Sequence, residues 1–306
     1  MRWEKLGRVY APRGESAWAR AHAFIPTSLV LDDERVRVYA AFRDAGQVGR
    51  VGFVDVDARD PLKVLRVSER PALDIGEPGT FDDSGVSPVS LVEHEGRLLL
   101  YYIGWQLGVK VRYTLLMGLA ESTDGGETFR RASRVPVLER SDGELFVRSA
   151  GFVLKDEGGF RMWYVAGDRW VEVGGKQVPT YNVRHLASDD PARWGASGQV
   201  CVELAPGGDE YGFGRPFVMK DGSGAFKMWY SVRTVSRGYR IGYAESADGL
   251  AWERRDGEAG IDVSADGWDS EMVCFSCVQP TRHGTYMFYN GNGYGETGFG
   301  VAVLRT

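Results

Sequence analysis

The chemistry this sequence offers lies in carboxylates and guanidinium groups that recur at matching places. When five similar segments are aligned on Pro26, Pro88, Gly151, Pro216 and Ser276, Asp83 and Glu271 share one register, and Asp82 and Glu210 share the register one residue earlier. Residues an even number of positions apart on a strand point the same way, so Asp83, Arg148, Arg215 and Glu271 are expected on one face. Two carboxylates meeting in a closed pocket suit acid/base work on a glycosidic bond: one protonated to donate to the leaving oxygen, one ionised to activate water or attack. Asp83 and Glu271 are the preferred pair, with Asp82 and Glu210 as substitutes.

A second set falls at the ends of aromatic strands: Arg43, Asp44, Trp105, Asp168, Arg169, Arg233, Asn290 and Asn292. Together with Arg148 and Arg215 they put a guanidinium near the axis in almost every repeat. Arginine is a rigid fork that grips carboxylate or phosphate, so the excess predicts an anionic ligand. Trp105, Trp170 and Tyr181 are candidates to stack on a sugar ring, and Asn290 and Asn292 to hold its hydroxyls. His22 opens the first segment and is a further candidate for substrate contact.

The elements that must position these residues are read from a repeat. The segments VRVYAAFRD (36–44), LLLYYIGW (98–105), RMWYVAGDRW (161–170), KMWYSVRT (227–234) and YMFYNGNG (286–293) share Tyr39, Tyr102, Tyr164, Tyr230 and Tyr289, spaced by 63, 62, 66 and 59 residues. An apolar run and a tight turn precede each one, and a third strand of small and apolar residues follows, ending in three copies in a Ser-x-Asp turn at Ser122, Ser188 and Ser246. Four antiparallel strands per 60-odd residues predict an all-β, five-bladed β-propeller spanning 1–306 as a single domain. The fifth copy lacks an outer strand, and the N-terminal RWEKLGRVY is predicted to supply it, closing the ring.

Composition narrows the partners. Lys and Arg number 37 against 42 Asp and Glu, giving a net charge of -5, and no basic stripe suggests a nucleic-acid partner. No apolar run is long enough to span a membrane and MRWEKLG lacks a signal-like core, so no membrane role and a cytoplasmic location are expected. Cys201, Cys274 and Cys277 are an odd count that fits a reducing compartment. Cys274 and Cys277 lie three apart on a strand and face opposite sides, so no metal site is expected. GNGYGETG at 291–298 lies between strands and reads as a rim turn, and no other motif calls for a cofactor.

The segments FDDSGVSPVSLVEHEGRLLLYYIGW, YRIGYAESADGLAWER and GWDSEMV, with the repeated MWY strands, resemble the five-bladed β-propeller glycosidase superfamily that includes glycoside hydrolase families 32, 43, 68 and 130. The resemblance covers the whole chain and implies a glycosidase acting on a carbohydrate or sugar-containing small molecule. The sequence departs from families 43 and 32 where they carry an essential Asp in the first blade: here Ala21-His22-Ala23 stands there. The arginine-rich channel is closer to phosphate-using family 130. The leading expectation is hydrolysis of an acidic or phosphorylated sugar or glycoconjugate precursor. The alternatives are phosphorolysis, sugar binding without catalysis, and a biosynthetic reaction of another type on the same scaffold.

Overall fold

The computed structural model describes residues 1–14 and 16–305, and its secondary structure is almost entirely strand. After β1 (Arg2–Tyr10), the chain makes consecutive antiparallel groups. The first comprises β2 (Ala21–Val30), β3 (Arg35–Arg43), β4 (Gly49–Asp57) and β5 (Val64–Val67). The next is β6 (Val86–His94), β7 (Arg97–Leu107), β8 (Tyr113–Ser122) and β9 (Arg130–Arg131). Then come β10 (Val147–Asp156), β11 (Gly159–Val173), β12 (Lys176–Ser188) and β13 (Gln199–Val202). These are followed by β14 (Glu210–Lys220), β15 (Phe226–Thr234), β16 (Arg240–Ser246) and β17 (Glu253–Arg254). The last group is β18 (Cys274–Thr281), β19 (Gly284–Asn290) and β20 (Phe299–Arg305), and β1 pairs antiparallel with β20 on its outer side.

First strands lie beside one another: β2 by β6, β6 by β10, β10 by β14, β14 by β18, and β18 by β2. Short parallel bridges, Val147 to Leu115 and Tyr181 to Gly212, link the second, third and fourth groups into one extended sheet. The middle strands are covered on both faces, so β7 reads as an unbroken apolar run and β3 as one interrupted only by Arg37, rather than as alternating strands.

A β-bulge interrupts every first strand at or next to the aligned position. Pairing slips between Phe24 and Thr27, Pro88 and Ser90, Ser149 and Phe152, Gly214 and Phe217, and Cys274 and Cys277. At four of the five, the residue just before the aligned position takes a left-handed backbone: Ile25 at φ 57°, Ala150 at 53°, Arg215 at 25° and Phe275 at 53°. Such angles are costly for residues with a Cβ, above all for Ile, and persist only where surrounding structure imposes them. Each bulge re-aims one side chain, and Ile25, Ala150, Arg215 and Phe275 all face a common central cavity.

The repeated tyrosines hold the groups together. Tyr39, Tyr102, Tyr164, Tyr230 and Tyr289 are fully buried, and four of their hydroxyls donate to a carboxylate: Tyr102 to Asp82, Tyr164 to Glu144, Tyr230 to Asp256 and Tyr289 to Asp269. A cation completes each latch, Arg131 on Asp82, Arg148 and Arg184 on Glu144, Arg254 on Asp256 and Lys5 on Asp269. Tyr39 instead donates to the carbonyl of Gly126. Buried charges are tolerated here because each is both paired and hydrogen-bonded. Among the described residues no helix is long and apolar enough to cross a membrane.

Candidate functional site

The central cavity has a volume of about 900 Å³ and opens where first strands begin, second strands end and third strands begin. Its cationic side chains are Arg43, Arg112, Lys176, Arg215 and Arg233, and its only carboxylate among the described lining residues is Glu296. None of the five cations is ion-paired to a carboxylate among the described residues. Tyr113, Tyr181, Tyr211, Tyr239 and Tyr294 supply phenol groups, and Trp105 and Phe24 add apolar surface.

His22 sits at one side of this cavity with a left-handed backbone, φ 59°. Its Nε2 lies 3.4 Å from an Arg43 nitrogen, and its buried Nδ1 has no partner. Burial, then the Arg43 charge, lowers its pKa to about 4, so the ring is neutral at physiological pH and can hydrogen-bond a ligand. Arg43 stacks on Phe24 and also reaches Gln47, and burial together with Arg112 disfavours its charge. An anion between Arg43 and Arg112 would relieve that repulsion.

Arg233 lies on the opposite side, 5% exposed, its guanidinium carbon 4.4 Å from the centre of the Tyr211 ring and 4.7 Å from that of Tyr181. Burial pushes the Tyr181 and Tyr239 phenols up, which keeps both neutral. Trp105 donates to Ser87 and meets Tyr113 edge-on, and Trp170 packs behind Tyr113 and Phe146 rather than on the cavity wall.

Of the residues expected from sequence, the structure gathers His22, Arg43, Trp105, Tyr181, Arg215 and Arg233 around the cavity. It does not bring Asp83 and Glu271 together there. Asp83 immediately precedes the wall residues Ser84 and Gly85, but its carboxylate accepts from Gly79 N and Ser84 Oγ, both at 2.8 Å. Glu271 is exposed, and its backbone N–H, not its carboxylate, is held by Asn292. Asp82 is fully buried in the Tyr102–Arg131 latch, and Glu210 forms an ion pair with Arg254 at 2.7 Å. The matching register of Asp82 and Glu210 therefore marks scaffold rather than the cavity wall.

Several expected binders are likewise committed to the framework. Arg148 is buried against Glu144, with carbonyl contacts to Glu139 and Gly195. Asn290 is buried and ties Ile25 N, Ala23 O and Gly298 O, while Asn292 caps the turn at Gly267–Met272. Asp44 pairs with Arg50 and caps its own loop. Arg169 is exposed on β11 away from the cavity wall, and the side chain of Asp168 lies outside the described residues. Arg215, although it reaches the cavity, spends its guanidinium on Ser276 O at 2.6 Å, Thr27 Oγ1 at 3.0 Å and Val89 O at 3.1 Å, joining three first strands at the axis.

Sequence reasoning missed Arg112, Tyr113, Lys176, Tyr239 and Glu296. The first four lie at the starts of third strands, a position that could have been scanned in the same way as second-strand ends. Glu296 lies in the Gly-rich turn after β19, which takes left-handed backbone angles at Gly293 and Tyr294 and carries the carboxylate to the cavity. Among the described residues no group of three His, Cys, Asp or Glu could hold a metal ion.

Comparison with known proteins agrees with this architecture. No family model matches the chain. Among solved structures, one titled "Glycoside hydrolase" superposes with a TM-score of 0.71 at 21% identity, covering 98% of this chain and 90% of the other. A thermostable family-43 glycoside hydrolase superposes at 0.68 and 16% identity, over 96% of this chain and 90% of that one. An endo-arabinase from Bacteroides thetaiotaomicron superposes at 0.63 and 13% identity, over 95% and 98%. These likenesses establish the glycoside hydrolase propeller fold. In sequence, the Mycobacterium tuberculosis proteins Rv1502 (strain ATCC 25618 / H37Rv) and MT1551 (strain CDC 1551 / Oshkosh), both named as uncharacterized, are each 39% identical over 305 residues, covering 100% of both chains. Identity at that level along the full length of both partners means that this chain belongs to the family of Rv1502 and MT1551.

Proposed function

We propose that this chain is a glycosidase-like enzyme that takes an anionic sugar or glycoconjugate into the central cavity of a five-bladed propeller. The observation that carries the reading is the charge of the wall: among the described residues it has five cations without carboxylate partners and one carboxylate, in a chain whose net charge is -5. A concave, partly aromatic cavity with one sign of charge concentrates ligands of the other sign. Five blades are supported by the cycle of neighbouring first strands and by a bulge at or next to the aligned position in each.

Cleavage of a glycosidic bond needs a proton donor at the leaving oxygen and a second group to attack or to activate water. In this reading Glu296, on the wall, and Asp83, beside wall residue Ser84, carry the two roles. Asp82 and Glu210 remain structural, and Glu271 serves the rim. His22 and Arg43 hold the ligand on one side, Arg233 and Tyr181 on the other, and Trp105 offers a face for a sugar ring.

The test is turnover of uronides, phosphorylated sugars and neutral glycosides by the wild-type protein, with and without inorganic phosphate, followed by E296Q and D83N on any substrate found. Each substitution is expected to lower kcat by about 10²–10⁴-fold, the usual share of a general acid or base. Undiminished kcat in both variants overturns the assignment, and an absolute need for phosphate makes the reaction phosphorolysis. The single carboxylate on the wall favours one second reading, a sugar-binding propeller without turnover, for which saturable binding and no product across the panel would decide.

A further inference from the structure

Arg233 is a buried cation whose protein contacts use only part of its fork. Its Nη1 donates to Pro179 O at 3.4 Å and to the Tyr181 hydroxyl, while Nε is buried without a partner among the described residues. Tyrosine rings surround the guanidinium, with centroids at 4.4 Å for Tyr211, 4.7 Å for Tyr181 and 5.7 Å for Tyr239. The close approach depends on Gly212, where a Cβ would fall 3.1 Å from the Tyr181 ring and 3.3 Å from Arg233 Nη1. Arg215 also keeps an unpartnered Nε, but its other nitrogens are occupied by the backbone of three strands. Arg233, by contrast, commits only Nη1, to Pro179 O and the Tyr181 hydroxyl, among the described residues.

Burying a guanidinium without a counter-charge costs free energy, and proteins rarely do so unless an anion completes the site. Rings over the guanidinium favour approach at its edge, where a planar acceptor can lie coplanar with the N–H fork. A carboxylate has that shape and a single charge. A phosphomonoester is tetrahedral, carries a charge of about −1.5 to −2 and calls for several strong donors. The cage holds one cation, and burial keeps the Tyr181 and Tyr239 phenols neutral.

Resting on the reading of the cavity as a site for an anionic sugar, we propose that the Tyr181–Tyr211–Tyr239 cage presents Arg233 to the carboxylate of a uronic-acid residue, making the ligand a uronate rather than a sugar phosphate. The neutral His22 and the Arg43–Arg112 pair would then contact the remainder of the ligand.

The experiment is equilibrium binding, by calorimetry at fixed ionic strength, of D-glucuronate, D-galacturonate, D-glucose, D-glucose 6-phosphate and inorganic phosphate to the wild-type protein, R233M and R233K. At least one uronate is expected to bind the wild type about 10-fold or more tighter than glucose, the worth of one charge-assisted bidentate contact. R233M should erase that preference, and R233K, which keeps the charge but not the fork, should fall between. Unfolding midpoints show whether each variant is folded, and R233K stands if R233M does not fold. Tighter binding of glucose 6-phosphate than of either uronate, equal binding of glucose, absence of uronate binding, or undiminished uronate binding by folded R233M or R233K overturns the proposal. The readout does not depend on turnover: uronate binding without product would retire only the enzymatic reading, and turnover of a phosphorylated sugar without uronate binding only this one.

Discussion

Exchanging Asp82 for Asn separates scaffold from chemistry at the two adjacent acids of the second group. Asp82 Oδ2 accepts from Tyr102 Oη at 3.0 Å and from Arg131 Nε at 2.7 Å, and Oδ1 accepts from Thr80 Oγ1 at 2.9 Å. Its side chain is fully buried, whereas that of Arg131 is 22% exposed. Asn keeps one acceptor oxygen, loses the ion pair and turns an NH₂ towards a donor. Breaking a fully buried pair costs about 3–5 kcal/mol, and the partial exposure of Arg131 reduces the expected loss to about 2–4 kcal/mol. At about 2–4 °C per kcal/mol for domains somewhat smaller than this one, D82N should melt roughly 4–16 °C below the wild type. Asp83 is bonded only to Gly79 N and Ser84 Oγ and is half-buried, so D83N should shift the melting temperature by no more than about 2 °C. The assay is thermal and urea unfolding of both variants, with turnover measured well below the transition. A D82N protein as stable as the wild type but deprived of activity would refute the latch and return Asp82 to the active site.

Two further outcomes follow from groups at the axis. R215M orphans Ser276 O, Val89 O and Thr27 Oγ1, at about 1–3 kcal/mol each, partly offset because a cation is no longer buried; urea unfolding should show a net loss of about 3 kcal/mol, and unchanged stability with abolished ligand binding would make Arg215 a binding residue instead. His22 and His185 both have pKa values lowered to about 4 by burial, and further by Arg43 and Arg161 respectively. The unfolded chain therefore binds more protons than the folded one between about pH 6.5 and 4, so their contribution to stability is complete above pH 6.5 and is lost as pH falls towards 4. H22Q and H185Q should each flatten that part of the stability profile, and unchanged profiles would contradict the neutral, buried state.

The fold was legible because its signal is repeated. Five tyrosines at near-constant spacing mark second strands, and five aligned first-strand positions coincide with five bulges. The same repetition misled the reading of the carboxylates. Asp82, Glu144 and Asp269 each stand 20 residues before the tyrosine they accept from, and Glu210 occupies the equivalent place before Tyr230, sharing Arg254 with Asp256. An acid at a constant offset from a repeated core residue serves whatever every repeat needs, which is cohesion. Glu296, by contrast, sits in a turn found in one group only. The cavity cations Arg112 and Lys176 went unread because the starts of third strands were not scanned, and two-residue periodicity along a strand does not by itself say which hairpin ends reach the cavity.

The pairing of β1 with β20 sets the order in which the molecule can be built. Arg2 lies against Arg305 and Tyr10 against Phe299, so of the strands described the earliest to be synthesised is bonded to the latest. During synthesis β1 has no partner while the intervening groups are made, and each of those can assemble from local hairpins as it emerges. The final pairing joins segments separated by nearly the whole described chain, and such non-local contacts carry the largest loop-closure entropy and form slowly. Until then the unpaired edges of β1 and β20 are open to strands from other chains, so the interval before closure is when this protein is most exposed to misassembly.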